Sequence, residues 1–149
     1  MKHLLPLLLA FLTLGSCGRS QEERSKILKV YNWADYIDED VLAEFPEWYK
    51  EQTGEDIKVI YQVFDINEVM LTKIERGHED FDVVCPSEYI IERMMKKEML
   101  LPINRDFGKT PDYIHNLAPY IQDELNKMIT DGRRVTDYAV PYMWGTAGT

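Results

Sequence analysis

The feature that most limits what this chain can fold into lies between residues 27 and 97. There, three short β-rich runs alternate with three runs whose apolar residues recur at helical spacing. Ile27 to Trp33 (ILKVYNW) is rich in β-branched and aromatic residues and predicts a first strand. Asp38 to Thr53 predicts a helix, because Val41, Leu42, Phe45, Trp48 and Tyr49 fall on helical spacing. Asp38 is suited to cap its start and Gly54 to stop it. Pro46 lacks an amide hydrogen and is expected to kink or split this helix. Asp56 to Val63 (DIKVIYQV) predicts the second strand, with Ile57, Val59, Tyr61 and Val63 alternating with Lys58, Ile60 and Gln62. Asn67 to Arg76 predicts a second helix, capped by Asn67 and ended by Gly77, with Met70, Leu71 and Ile74 as its apolar face. Asp82 to Cys85 is a short apolar run, the pattern of a strand covered on both faces. Glu88 to Lys97 predicts a third helix that turns Ile90, Ile91, Met94 and Met95 inward.

Strand and helix in strict alternation argue for an α/β domain with a largely parallel sheet. Ligands of open parallel sheets bind beyond the carboxyl ends of the strands. Three loops are therefore the places to look: Trp33 to Asp38, Phe64 to Asn67, and Pro86 to Tyr89. Beyond residue 104 the pattern weakens, because Gly108, Pro111, Pro119 and Gly132 interrupt it. Ile121 to Ile129 is compatible with one helix, and Tyr138 to Gly145 (YAVPYMWG) resumes β character. With no helix or polar tail after Gly145, the chain reads as stopping in mid-element.

The start of the chain has a different character. Lys2 and His3 precede an apolar run, Leu4 to Leu14, broken only by Pro6 and Thr13. Leu14-Gly15-Ser16-Cys17 comes next. This is the charged, apolar, small-residue order of an export signal. The run is shorter than the ~20 residues that cross a bilayer. A cysteine at the cut site resembles the lipobox of bacterial lipoproteins, in which the thiol receives a diacylglycerol. Residues 1–17 are thus expected to be a signal peptide ending at a lipidated Cys17. Residues 18–26 (GRSQEERSK) are polar, have no apolar period and read as a tether. Residues 27–149 form the domain.

Charge and cysteine content narrow the function. Formal net charge is -9, and losing Lys2 with the signal makes it -9 minus 1, or -10. Such a chain does not favour nucleic acid or anionic surfaces, and it is compatible with cationic solutes. Of two cysteines, Cys17 is assigned to the lipid, which leaves Cys85 without a partner and reads as a small core residue. His78 and His115 follow no ligand spacing, and HExxH, GxSxG and Walker-type loops are absent. The sequence therefore argues for no catalysis, no metal and no cofactor.

The loops carry a more specific signal. Trp33, Asp35 and Tyr36 come after the first strand, and Ser87 and Tyr89 after the third. Taken singly, Trp33 or Tyr89 reads equally as core and Asp35 as a turn residue. Taken together they suit a protonated alkylamine. Its ammonium needs an anion or hydroxyl once water is removed, and its methylenes need apolar walls. Aromatic faces supply those walls together with cation–π attraction.

Three separated segments carry a family resemblance: Tyr31-Asn32-Trp33-Ala34-Asp35-Tyr36, then Phe81-Asp82-Val83-Val84 with Pro86-Ser87-Glu88-Tyr89, then Val140-Pro141-Tyr142-Met143-Trp144-Gly145-Thr146. In order and approximate spacing they resemble the spermidine/putrescine-binding proteins of polyamine ABC transporters. The resemblance implies a periplasmic-binding-protein fold of type II, two α/β lobes around a hinge, of which this chain is one incomplete lobe plus the start of the crossover. It implies that Trp33 and Tyr36 line a ligand cleft, that Asp35 meets a ligand amine, and that Ser87 and Tyr89 also face the ligand. The third segment looks structural and leads toward the other lobe. Ala34 stands where the family often has a hydroxyl residue, which leaves exact substrate choice open. The implied partners are putrescine or spermidine, an ABC transporter permease, and a membrane reached through the N-terminal lipid. Nucleic acid is not among them, and the expected state is a monomer in the periplasmic space. The other lobe's cleft residues are absent, so the fragment alone is expected to bind and fold weakly.

Three other readings remain: a receptor for another organic cation or amino-acid derivative, an enzyme on a related scaffold, and a lipid-anchored structural or interaction protein. The anchor itself is open to test. Cys17→Ser is expected to release a soluble or unprocessed form, seen by fractionating cells. Normal processing with unchanged membrane partitioning would contradict the lipid assignment.

Overall fold

The computed structural model describes residues 23–105 and 116–145. The signal segment, Cys17 and residues 18–22 lie outside them, as do Gly108, Pro111, His115 and Thr146. The described part is an α/β unit. Its elements in order are β1 (Ile27–Trp33), α1 (Glu39–Thr53), β2 (Lys58–Phe64), α2 (Asn67–Gly77), β3 (Val83–Val84), α3 (Glu88–Lys96), α4 (Pro119–Lys127), β4 (Ile129–Thr130) and β5 (Arg133–Arg134), with a 3-10 turn at Val135–Asp137.

β1 is the middle strand of a three-stranded parallel sheet in the order β2-β1-β3. It pairs along its full length with β2, from Ile27 opposite Lys58 to Trp33 opposite Phe64. Pairing with β3 is shorter, with Tyr31 opposite Val84. That pairing is extended by the Asp82 amide donating to the Lys29 carbonyl at 3.0 Å and the Cys85 amide to the Tyr31 carbonyl at 3.0 Å. The chain thus moves from β1 outward to β2, then returns past β1 to β3. Right-handed crossovers in opposite directions place α1 and α2 on opposite faces.

One face carries the main core. Tyr31, Phe64, Met70, Leu71, Ile90 and Met94 are buried together, with Trp33, Ile74, Phe81, Val84, Met99 and Leu100 packed against them. Tyr31 stacks on Phe81 at 4.5 Å and meets Phe64 edge-on at 5.0 Å. Lys73 donates to Gln62 at 2.7 Å and lays its ammonium 4.9 Å over the Tyr31 ring. The other face is more thinly covered, and α1 has no buried residue.

The structure corrects several expectations. α1 runs unbroken through Pro46 rather than splitting there. Pro46 leaves the Leu42 carbonyl without its helical amide partner, on a helix that has no fully buried residue. The caps at Asp38 and Gly54 are as read: Asp38 accepts from the Asp40 amide, and Gly54 takes the left-handed region at φ 80°. β2 starts at Lys58 and extends to Phe64, so Phe64 belongs to the core rather than to the loop. Val63 is exposed, because alternation in this strand places Phe64 and not Val63 toward the α2–α3 face. Among the described residues β3 lies at a sheet edge, and Val83 is exposed, so this strand is not covered on both faces. α2 begins with Asn67 but Ile66 is its N-cap, which frees the Asn67 side chain for another use.

The later elements differ more. α4 spans 119–127, with Pro119 at its start, where a missing amide costs nothing. Ile129 instead enters a hairpin with β5 that the sequence reading did not anticipate. Asp131 and Gly132 form its two-residue turn, both at positive φ (50° and 75°), which is the Asp-Gly signature of a type I′ hairpin. Tyr138 to Gly145 contains no strand. The amides of Tyr138 and Ala139 both turn back to the Val135 carbonyl at 2.9 Å, and Pro141 has none to give.

Part of the stretch read as a tether is also held. Residues 23–25 are helical. Arg24 donates to the Asp80 carboxylate at 2.7 Å, to Asp82 at 3.0 Å and to the Ile27 carbonyl at 2.7 Å, and Lys29 also pairs with Asp80. Hydrogen bonds from Arg24 first, then Lys29, hold the Asp80 carboxyl well below the usual carboxylate range. A depressed folded pKa contributes stability that is complete above the unfolded value of about 3.9 and is lost as pH falls toward the folded one. Asp80→Asn is therefore expected to flatten the loss of stability below about pH 4. Denaturant midpoints measured across that range check this, and identical acid limbs for parent and variant would contradict it.

Candidate functional site: the carboxyl ends of β1 and β3

The sheet order creates a switch point. The connection leaving β1 leads to β2 on one side of it and the connection leaving β2 leads to β3 on the other, and in such sheets ligands bind beyond the carboxyl ends at the point of reversal. All five residues singled out in the sequence lie in the segments that leave the carboxyl ends of β1 and β3.

At the end of β1, the Ala34 amide still donates to the Phe64 carbonyl at 3.3 Å, so the ladder to β2 holds one residue past the strand. Asp35 then takes the left-handed region at φ 62° and reverses the chain. Aspartate is among the few non-glycine residues that tolerate this. The reversal leaves the Asp35 carboxylate exposed, with no hydrogen bond or ion pair among the described residues. Trp33 is half-buried, packed on Phe64 at 4.6 Å between ring centroids, and Tyr36 lies 6.1 Å from it. The Tyr142 hydroxyl donates to the Tyr36 carbonyl, so the segment read as purely structural is tied to the aromatic loop.

At the end of β3, one buried side chain organises the loop. Asn67, only 6% exposed, accepts from the Ser87 amide at 3.2 Å. Its two amide hydrogens go to the Ser87 hydroxyl at 3.0 Å and the Tyr89 hydroxyl at 3.0 Å. The Tyr89 hydroxyl in turn donates to the Glu68 carboxylate at 2.9 Å. Ser87 occupies the N-cap of α3 but makes no side-chain capping bond, because its hydroxyl is turned to Asn67. The loops after β2 and β3 are thereby joined across the end of β1.

The structure thus forms two groups. Trp33 and Tyr36 stand together with Asp35 between them in sequence, and Ser87 and Tyr89 share Asn67. No hydrogen bond or ring contact links the two groups among the described residues; they are neighbours through the β1–β3 pairing. Sequence reasoning missed Asn67, Glu68 and Tyr142. The loop ending at Asn67 had been marked, but Asn67 was assigned to helix capping, a role its buried side chain does not fill. Cys85 is half-buried, and burial pushes its thiol pKa up, so it stays protonated near neutrality.

A cavity of about 590 Å³ lies elsewhere, beside the β4–β5 hairpin. It is lined by Arg105, Arg133 and Arg134 as well as Asp137 and Tyr138, and three guanidinium groups make it a poor place for a cation. Among the described residues, no group of three His, Cys, Asp or Glu is placed to hold a metal ion, and no helix is long and apolar enough to cross a membrane.

An α/β unit with an exposed carboxylate and aromatic rings at a switch point has the form of a solute-binding lobe. Comparison with known proteins gives the same class. The chain is 36% identical over 153 residues to the putrescine-binding periplasmic protein SpuD of Pseudomonas aeruginosa, covering 99% of this chain and 37% of that protein. It is 39% identical over 123 residues to the putrescine-binding periplasmic protein PotF of Escherichia coli, covering 83% of this chain and 30% of that one. The spermidine/putrescine ABC transporter substrate-binding protein PotD of Streptococcus pneumoniae, solved with calcium and HEPES, superposes with a TM-score of 0.61 at 36% identity. That match covers 80% of this chain and 32% of the other. No family model matches. The chain therefore spans about a third of the length of the relatives it matches, and its fold is part of the periplasmic substrate-binding architecture, in keeping with one incomplete lobe. These relatives are named as transport binding proteins, not as enzymes.

The Asn67 network is directly testable. Asn67→Asp keeps the acceptor for the Ser87 amide but has no hydrogen for either hydroxyl. It is expected to lower stability by about 1–3 kcal/mol, the cost of leaving buried polar groups unpaired. Denaturant unfolding measures this, and an unchanged midpoint would remove Asn67 from the role assigned to it.

Proposed function

We propose that this protein is the lipid-anchored, periplasmic substrate-binding component of an ABC importer, that it captures polyamines such as putrescine or spermidine, and that it delivers them to the permease. The observation that carries the reading is the Asp35 carboxylate. It is held at the carboxyl end of the central strand beside the Trp33 and Tyr36 rings, and it has no partner among the described residues. An exposed anion beside aromatic faces is an arrangement for an alkylammonium. The names of the related proteins support the same ligand class. The order of residues 1–17 supports lipidation at Cys17, and the protein works as a monomer.

Binding here makes and breaks no bond, so no general base is required. Trp33 and Tyr36 wall the methylene chain. Asp35 receives one ammonium, with Ser87 and Tyr89 offering further oxygen acceptors. The Asn67 amide already donates to both hydroxyls, which leaves their remaining lone pairs for a cationic donor. Closure by the second lobe of a full-length binding protein excludes water and strengthens each charge contact as the local dielectric falls. The closed form is the shape that a permease recognises.

Magnitudes order the contributions. A charge-assisted hydrogen bond is worth roughly 1.5–3 kcal/mol, and a cation–π contact about 0.5–2 kcal/mol. Asp35→Asn is expected to weaken putrescine binding about tenfold or more. Tyr36→Phe, which keeps the ring, should cost less, and Trp33→Leu should lower affinity while leaving the fold intact. Calorimetric titration of the intact protein with putrescine and spermidine decides the matter. If neither polyamine binds, or if Asp35→Asn and Trp33→Leu bind as tightly as the parent, the assignment fails.

A further inference from the structure

The cavity beside the β4–β5 hairpin has no part in the mechanism above. The turn at Asp131-Gly132 fixes the hairpin, and Arg133 and Arg134 form its second strand. Successive strand residues leave on opposite sides, so the two guanidinium groups find different partners. Arg133 is half-buried. It donates to the Met95 carbonyl of α3 at 2.8 Å and lies 5.8 Å from the centre of the Tyr138 ring. Arg134 forks onto the Asp137 carboxylate at 3.1 and 3.3 Å. Arg105 comes from the segment after α3 and donates to the Thr136 carbonyl at 2.7 Å. All three border the one cavity of about 590 Å³, and among the described residues Asp137 is the one carboxylate that lines it. The plain explanation is that the arginines hold the hairpin and its flanks in place through backbone carbonyls. That role uses only part of each group, because a guanidinium carries more N–H donors than a single carbonyl can accept. Among the described residues neither Arg105 nor Arg133 meets a carboxylate. In a chain of formal net charge -9, this is a local surplus of positive charge. The carbonyl contacts also hold the groups in position, so part of the ordering cost of binding is met before a ligand arrives.

From this arrangement we infer that the hairpin cavity is an anion site, and that it takes a small oxyanion of the phosphate type from solution. A guanidinium fork matches two oxygens of such a group, which chloride cannot offer. Arg105 and Arg133 supply the donors. Asp137 limits the affinity, because its carboxylate occupies Arg134 and repels the incoming anion. The guanidinium groups stay protonated across the ordinary pH range, so the site is always cationic. No amine takes part, and the inference stands apart from the polyamine reading.

The test is calorimetric titration of the intact protein with inorganic phosphate, at an ionic strength held constant with sodium chloride. Arg105→Gln is expected to weaken phosphate about tenfold. Asp137→Asn frees Arg134 and removes the competing charge, and it is expected to tighten phosphate about threefold or more. Glu47→Gln removes a negative charge from an exposed position on α1 and should leave the affinity within about twofold. The direction of the Asp137→Asn effect is the discriminating result, since loss of a purely structural ion pair lowers the melting temperature and does not raise an affinity. Absence of saturable phosphate binding by the parent overturns the inference, including the case in which another part of the intact protein fills the cavity. It is equally overturned if Asp137→Asn binds no more tightly than the parent, or if Glu47→Gln tightens binding as much as Asp137→Asn does. A folded Arg105→Gln that binds phosphate as the parent does would also overturn it.

Discussion

β1 takes a parallel partner on each edge, and most of the remaining structure depends on that constraint. A parallel neighbour cannot be reached by a tight turn, so each pairing requires a crossover long enough to hold a helix. Because β2 and β3 lie on opposite sides of β1, the two crossovers leave in opposite directions and the helices fall on opposite faces. The carboxyl ends of all three strands then point the same way. Trp33, Phe64 and Cys85 mark those ends, and the chain beyond each must begin a helix close by. Asp35, Asn67 and Ser87 are brought together by topology before any of their own contacts form.

The contacts among them then hold the arrangement. Asn67 carries three hydrogen bonds between the loops after β2 and β3. A buried amide so fully used rigidifies its surroundings, and the same low dielectric makes any one missing partner costly. Tyr142 acts on the other side by donating to the Tyr36 carbonyl, which steadies the turn at Asp35. The arrangement therefore draws on four parts of the chain, though the proposed amine contacts come from only two of them.

The regular part of this fold was legible from the sequence. β1 is bounded as its composition indicates, and α1 begins and ends at its polar cap and its glycine, because local propensity and tertiary packing agree there. The departures have physical causes. In β2 the alternation was readable but not which set meets the core: Phe64 does and Val63 does not. Asn67 was read as a cap because capping is what asparagine most often does at a helix start, and a long-range bond to a loop 20 residues away leaves no local trace. The β4–β5 hairpin had a trace in Asp131-Gly132, but strands of two residues are too short to show alternation. The aromatic residues of the first and third loops stood out because rings are unusual in ordinary turns, and the structure sets them at or just beyond the carboxyl ends of β1 and β3. Glu68 did not stand out, because an acidic residue in a first helical turn is commonplace.

One proposed placement is central: an amine bound across the carboxyl ends of β1 and β3, over loops that the Asn67 amide already holds. The most direct measurement is a crystal structure of the intact protein with putrescine. The expected result is one ammonium within hydrogen-bond reach of Asp35, the methylenes against Trp33 and Tyr36, and the Asn67 bonds to Ser87 and Tyr89 unchanged. A diamine bound away from Asp35 and Trp33, or bound only after the Asn67 bonds have broken, would contradict it.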